Sequence, residues 1–286
     1  MSYVTSNQPD GTPTWIDLDV PDLGRATEFY GALLGWDFSV ESAGETTGTE
    51  SAAGAGAGSG GYAMCLLRGR AVAGLRQTPA AGAPTAGTPG HWLMYFATED
   101  CDATAKRVTG AGGTLLQSPQ DVGVGRRALA KDPVGARFGL WQGRTHPGCE
   151  IVNEPGSLVR NDLTTPDPGP ARAFYPAVFD FTLDANDDLP DADFTFLRRP
   201  DGHEIGGIMG VPAADVPTAD VPTAAASVWQ TLFEVADTDA TVRRAVAAGG
   251  TASAPVDTIY TRMAEITDPF GTTFQVGARP RGGRES

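Results

Sequence analysis

Two aspartates stand at matched places in this chain, each two residues after a larger side chain: Asp17 after Trp15, and Asp162 after Arg160. In an extended segment residues i and i+2 share a face, so Asp17 lies beside Trp15 and Asp162 beside Arg160. A carboxylate withdrawn from water has its ionised form disfavoured, and such a group can act as a general base or acid. Arg160, or His91 at the start of a strand-like segment, could hold the oxyanion that such a proton transfer creates. A plainer reading stands beside this one. Each aspartate could simply accept hydrogen bonds at a seam between domains, and Arg160 could pair with a neighbouring carboxylate.

The elements that must carry these residues are written twice. The stretch Trp15–Asp22, with Phe29-Tyr30 and Gly35-Trp36 behind it, is matched by 160–167 and Phe174-Tyr175 at an offset of 145 residues. Alternation predicts a strand over 14–20, ended by Pro21. Asp22 then serves as N-cap for a helix whose apolar positions Leu23, Ala26, Tyr30 and Leu33 keep helical spacing until Gly35. Strands follow at 36–40, 62–68 and 71–77. A second unit starts at His91–Thr98, with a helix over about 102–111 and strands near 114–117, 125–131 and 136–142; its last turn is Asp132-Pro133-Val134-Gly135.

The second half runs the same course. Strand 157–164, a helix over 168–179 and strands at 181–185, 193–199 and 203–210 make one unit. Strand 227–235, a helix over 239–248 and strands at 251–254, 259–266 and 272–277 make the other, turning at Asp268-Pro269-Phe270-Gly271. The expected organisation is a first domain over 12–143, a linker over 144–156, a second domain over 157–278 and a frayed tail, 279–286. The segments 42–61, 78–90 and the duplicated Asp-Val-Pro-Thr-Ala run of 215–224 are too small or too Pro-rich to pack and are expected to be loops.

At 286 residues and 41% hydrophobic content, each half is long enough to bury its own core. A formal charge of −14 argues against nucleic acid and anionic membranes as partners. No apolar run approaches the roughly 18 residues of a spanning helix, and Met1–Gly11 lacks the pattern of a secretory signal, so a cytoplasmic location is expected. Cys65, Cys101 and Cys149 form no metal-binding pair and are expected to be buried thiols.

A strand ending in Pro-Asp, a helix with Phe-Tyr, a Gly-Trp and a later Asp-Pro-x-Gly, all occurring twice, resemble the vicinal oxygen chelate superfamily of glyoxalase I, bleomycin-resistance proteins and extradiol dioxygenases. Within it, the chain looks most like the tandem two-domain actinobacterial glyoxalase-like proteins. The resemblance implies an α+β chain of two glyoxalase-like domains. Each would be built from two βαβββ units whose curled mixed sheets form cup-shaped cavities, and the domains would pair so that cavities lie between them.

In metal-using relatives the ligands come from the first strand of one unit and from the first and last strands of the next. Carried over, these positions are Trp15 and Arg160, then His91 and Val228, then Gly139 and Gln275. Shared across the domains, one set would be Trp15, Val228 and Gln275 and the other Arg160, His91 and Gly139. Neither suits a divalent ion: an indole does not ligate and a guanidinium repels cations. No metal and no other cofactor is expected.

The aspartates would then line the cups, with Trp15, Tyr62, Met64, Tyr95, Phe138, Phe194, Phe196, Trp229 and Gln275 as candidate walls for a flat, aromatic, neutral or cationic small molecule. His146, His203 and Glu204 are expected to face solvent. The expected function is metal-independent, glyoxalase-like proton-transfer chemistry of the lyase, isomerase or cyclase type, on a small oxygenated or aromatic metabolite. Sequestration of an antibiotic-like molecule is the alternative, and a metal-dependent glyoxalase or dioxygenase the reading the ligand positions oppose. The expected particle is a monomeric pseudo-dimer, with a homodimer left open.

Overall fold

The computed structural model describes residues 2–41, 61–78, 90–212 and 227–279. The expected loops at 42–60, 79–89 and 215–224, and the tail beyond 279, lie outside the described residues. The elements are β1 (Ser2–Tyr3), β2 (Pro13–Val20), α1 (Leu23–Leu34), β3 (Asp37–Glu41), β4 (Tyr62–Leu67), β5 (Arg70–Gln77), β6 (Leu93–Ala97), α2 (Cys101–Gly110), β7 (Thr114–Asp121), β8 (Gly125–Lys131) and β9 (Arg137–Gly143). The second half holds β10 (Ile151–Val152), β11 (Leu158–Thr165), α3 (Pro168–Phe179), β12 (Thr182–Ala185), β13 (Phe194–Arg198), β14 (Glu204–Gly210), β15 (Val228–Glu234), α4 (Thr238–Ala247), β16 (Thr251–Ala252), β17 (Val256–Asp257), β18 (Arg262–Thr267) and β19 (Thr273–Ala278).

The helices start and stop where local chemistry says they should. Asp22, Asp100 and Asp237 each cap a first turn, accepting from the backbone N–H three residues on. Gly35 closes α1 in the left-handed region at φ 74°. At the matching place α3 is closed by Asp180 at φ 58°, a residue type that tolerates this conformation.

Each half makes one open mixed sheet. The first runs β3-β4-β5-β2-β6-β9-β8-β7 and the second β12-β13-β14-β11-β15-β19-β18-β16, with β17 also on β18. In both, the two units meet through an antiparallel pair, β2 with β6 and β11 with β15. This corrects the expectation of cavities shared between domains: the strands that would bear one ligand set lie in a single sheet. β1 and β10 were not foreseen. They pair with each other, so the expected linker 144–156 holds a strand fastened to the N-terminus.

One face of each sheet packs on helices, and between the halves α1 packs against α4 and α2 against α3. The Phe-Tyr, Gly-Trp and Asp-Pro-x-Gly motifs meet at this seam. The Tyr30 hydroxyl donates to Asp268 Oδ2 at 3.0 Å, and the Tyr175 hydroxyl donates to Asp132 Oδ2 at 2.9 Å. Each aspartate also gathers its own turn, Oδ1 of Asp268 accepting from Phe270 and Thr272 N–H and Oδ1 of Asp132 from Val134 and Ala136 N–H. Around these bonds stand two mixed aromatic clusters. Tyr30, Trp36 and Trp92 pack with Phe233 and Phe274, and Phe96 and Phe138 pack with Phe174, Tyr175 and Trp229.

Both seam tyrosines are fully buried, so each removed hydroxyl strands a carboxylate oxygen. Tyr175→Phe is expected to lower stability by about 1–3 kcal/mol in a urea titration, as losing one partner of a buried hydrogen bond does. Burial pushes the Asp132 carboxyl up to about 6, against the donors that favour its charge. A carboxyl raised by folding binds its proton more tightly in the native state, so its contribution falls as pH rises from the unfolded value through 6. From pH 7 to pH 5 the wild type should therefore gain roughly 1 kcal/mol relative to Asp132→Asn.

Candidate functional site

The two halves place equivalent residues on the face turned away from the helices, with opposite results. In the first half the register sets Trp15 opposite Tyr95, Tyr95 opposite Gly139, and Asp17 opposite Leu93 and Gly74. Asp17 is 6% exposed and fully engaged. Its Oδ1 accepts from Trp15 Nε1 at 2.9 Å and from the Tyr62 hydroxyl at 3.0 Å, its Oδ2 accepts from the Tyr95 hydroxyl at 3.1 Å, and Arg76 stands 3.6 Å away. Burial and the Asp17 charge push both tyrosines upward, keeping them protonated donors.

Two glycines make this closure possible. A Cβ on Gly74 would lie 2.0 Å from the Tyr62 hydroxyl, and one on Gly139 would lie 2.0 Å from the Tyr95 ring. His146 covers the assembly, its ring edge-on to Trp15 at 4.4 Å, with Nε2 buried and unpartnered. It is therefore packed and not solvent-facing; burial lowers its pKa. The floor of the first cup is filled by its own side chains.

In the second half the corresponding row is Arg160, Leu232, Gln275 and Glu265, with Asp162 opposite Gln230 and Gly207. Burial alternates along these strands, as β11 and β18 show, so this face remains accessible. Arg160 Nε donates to Asp162 Oδ1 and Oδ2 at 2.9 and 2.7 Å, and its Nη1 donates to Glu204 Oε1 at 2.5 Å. Its guanidinium lies 5.7 Å from the Phe194 ring centroid and 5.6 Å from that of Phe196. Arg198 bridges Glu204 and Asp184. Glu204 is thus an ion-pair partner, contrary to the solvated role expected of it, whereas His203 is exposed. Burial raises Asp162, opposed by Arg160.

Beyond this charged edge the face carries polar groups that the fold leaves without partners. Gln230 is 5% exposed, and its Nε2 has no hydrogen-bond partner. Glu265 is half-buried and is raised by burial alone. Met209, Leu232 and Met263 supply apolar surface on the same face by register. Gln230, Leu232, Glu265 and the two methionines were missed in the sequence. Alternation back from Gln275 across the last hairpin carried the signal for Glu265, but only with the strand pairing known.

Other expected site residues lie elsewhere. Phe138 and Trp229 are not walls of a cup; register turns them to the helix side, into the seam aromatics. His91 precedes β6, is exposed, and is not in register with Trp15. Val228 is likewise displaced, pairing with Thr164, so Tyr95 and Leu232 occupy the second ligand positions. Met64 stays on the first cup's face, opposite Gly74. A cleft of about 160 Å³ at the seam, lined by Thr12, Thr14, Asn161 and His203 together with Arg160 and Glu204, is smaller than usual ligand pockets.

The rows Trp15–Tyr95–Gly139 and Arg160–Leu232–Gln275 do not fit a divalent metal. The first offers no imidazole or carboxylate, and the second sets a fixed cation beside a leucine and a neutral amide. Among the described residues no group of three or more His, Cys, Asp or Glu side chains could hold an ion.

Two tandem α+β halves with curled mixed sheets define the glyoxalase class of fold. The profile of the glyoxalase/bleomycin resistance protein/dioxygenase superfamily matches residues 12–140 and 151–276, and the chain belongs to that superfamily. It is 36% identical over 274 residues to "Putative glyoxylase CFP32" of Mycobacterium tuberculosis, covering 95% of this chain and 96% of that protein. It is also 36% identical over 277 residues to the anthracycline biosynthesis protein DnrV of Streptomyces peucetius, covering 93% and 92%. Among solved structures, the Mn(II)-bound glyoxalase of Novosphingobium aromaticivorans superposes with a TM-score of 0.58 at 14% identity, over 94% of this chain and 82% of that one. A variant of 4-hydroxymandelate synthase from Streptomyces coelicolor gives 0.55 at 17%, over 98% and 95%. At these identities the structures share the fold.

The two aspartates should respond differently to the same change. Asp17→Asn removes the charge from a buried carboxylate with three donors and a guanidinium around it, and is expected to cost about 2–4 kcal/mol in denaturant unfolding. Asp162→Asn, partly exposed and held by Arg160 and the Gly207 backbone, should cost less, about 1 kcal/mol.

Proposed function

We propose that the second-domain cup binds a flat, oxygenated aromatic small molecule and that the chain catalyses a glyoxalase-like proton transfer on it, of the lyase, isomerase or cyclase type, without a divalent metal. The observation that carries this reading is the contrast between the cups. Asp17 is saturated by Trp15, Tyr62 and Tyr95, whereas the matching face of the second half leaves Gln230 Nε2 buried and unpartnered. A buried donor without a partner costs free energy in the empty protein, and a ligand acceptor offsets that cost.

Shape and charge narrow the ligand. Phe194, Phe196, Leu232, Met209 and Met263 offer apolar surface suited to ring faces. Arg160 is already neutralised by Asp162 and Glu204, so this edge favours a neutral or cationic ligand over an anion. Arg160 and Asp162 would orient the ligand's polar end, with Gln275 further along the row. The resemblance to a protein named for anthracycline biosynthesis supports a polycyclic aromatic ligand. The metal-free reading rests on the donor chemistry of the two rows.

Titration calorimetry with 1,8-dihydroxyanthraquinone tests the site. One molecule should bind per chain, Leu232→Trp should weaken binding at least tenfold, and Leu129→Trp, opposite Gly139 on the face of the first cup, should leave it unchanged. Equal loss in both variants, or loss only in the second, would place the ligand elsewhere. Dialysis against EDTA should alter neither binding nor turnover, and one tightly held transition metal per chain would refute the metal-free part. Turnover distinguishes an enzyme from a sequestering protein, which would bind the ligand and release it unchanged.

A further inference from the structure

The accessible floor of the second cup holds a carboxylate that the fold does not use. The Glu265 side chain has no hydrogen-bond or ion-pair partner among the described residues; only its backbone is engaged, the N–H donating to Ser253 Oγ and the carbonyl accepting from Ser253 N–H. Among the described residues the carboxylates at the Arg160 edge of this face are tied: Asp162 to Arg160, Glu204 to Arg160 and Arg198, and Asp184 to Arg198. Glu265 stands opposite Gln275, which stands beside Leu232. Gln230, two residues before Leu232 on the same face, brings its unpartnered amide donor to that floor. An unclaimed acceptor and an unclaimed donor therefore share one surface, separated by apolar side chains.

We propose that Glu265 is the proton-transfer group of this cup, acting on an enolisable ketone within a neutral, fused-ring molecule whose carbonyl oxygen is held by Gln230. This rests on the reading of the second cup as the ligand site. The Glu265 carboxylate takes a proton from the carbon next to the carbonyl. The C–H pair becomes the carbon–carbon double bond of the enolate, and the carbonyl π pair moves onto the oxygen, which accepts from Gln230 Nε2. Glu265 then returns its proton to a different carbon or to the oxygen, giving an isomer with no net oxidation or reduction. Bound this way, the nucleus of charge sits where a fixed donor meets it.

Geometry favours Glu265 over Asp162 for this step. Both oxygens of Asp162 are engaged by Arg160 Nε, whereas the Glu265 carboxylate has no partner among the described residues and is free to take a proton. Burial raises its carboxyl, in the direction that strengthens a base. The span also fits. From β11 to β18 are three strand spacings, at most about 14 Å between backbones, a span that a fused-ring molecule can bridge between Arg160 and Glu265.

Deuterium exchange at the C2 methylene of 3,4-dihydroanthracen-1(2H)-one, followed by proton NMR in D2O, reads this step directly; the probe is neutral, three-ringed and enolisable at the carbon next to its carbonyl. Binding is followed in parallel by calorimetry. The wild-type chain should accelerate exchange, Glu265→Gln should lose at least a hundredfold of that acceleration at unchanged affinity, and Leu129→Trp in the first cup should retain it. Gln230→Met should lower exchange by about tenfold. If Glu265→Gln exchanges as fast as wild type while binding is intact, the assignment of Glu265 is overturned and the ligand site stands. If the wild type binds the probe but does not exchange it, the proton transfer is refuted, and if the wild type does not bind it, the reading of the cup falls as well.

Discussion

Everything in this molecule hangs on a pair of reciprocal hydrogen bonds. Tyr30 of the first half reaches Asp268 of the second, and Tyr175 of the second reaches Asp132 of the first. Each aspartate organises the hairpin before a last strand by accepting from two backbone N–H groups, and each tyrosine enters from a helix of the other half. Turn, helix and seam are thereby specified together: a break at one of these bonds exposes a buried carboxylate and loosens the aromatic cluster around it. The cost of burying the charges explains why so many donors converge there.

With the seam fixed by the helix-side faces, the opposite faces were free to diverge. In the first half three hydroxyl or indole donors and an arginine collapse onto Asp17, and Gly74 and Gly139 give their rings the space to do so. In the second half phenylalanine replaces tyrosine at the Tyr62 position, leucine replaces Tyr95, and Gln275 replaces Gly139, so no network can close. Arg160 instead draws Asp162 and Glu204 to one edge and leaves the rest of the floor to Gln230, Gln275 and Glu265. The same backbone thus gives a plugged cup and an accessible one.

Much of this was legible in the residues. The offset repeat and its caps place the strands and helices closely, because a Pro-Asp stop, a helical apolar stripe and a Gly or Asp in the left-handed region are local events. The site was less legible. Asp17 and Asp162 were rightly seen to share faces with Trp15 and Arg160, but the choice between a free base and a satisfied acceptor depends on Tyr62 and Tyr95, far away in sequence. Phe138 and Trp229 were assigned to cup walls although they lie in the seam, since alternation tells which residues share a face and not which face is the hollow one. Glu265 escaped notice because its neighbour in space, Gln275, is reached only through the hairpin pairing.

The sequence by itself determined the architecture: two copies of a two-unit α+β design, with Asp17 and Asp162 each two residues after a larger side chain on the same face. Those are statements about residue identity and short-range periodicity, which the chain carries locally. Only the tertiary structure decided which cup is filled, which carboxylates are spoken for, and that ligand positions belong to one sheet and not to two domains. These depend on strand register and on long-range hydrogen bonds, where a shift of one residue exchanges a cup wall for a core position.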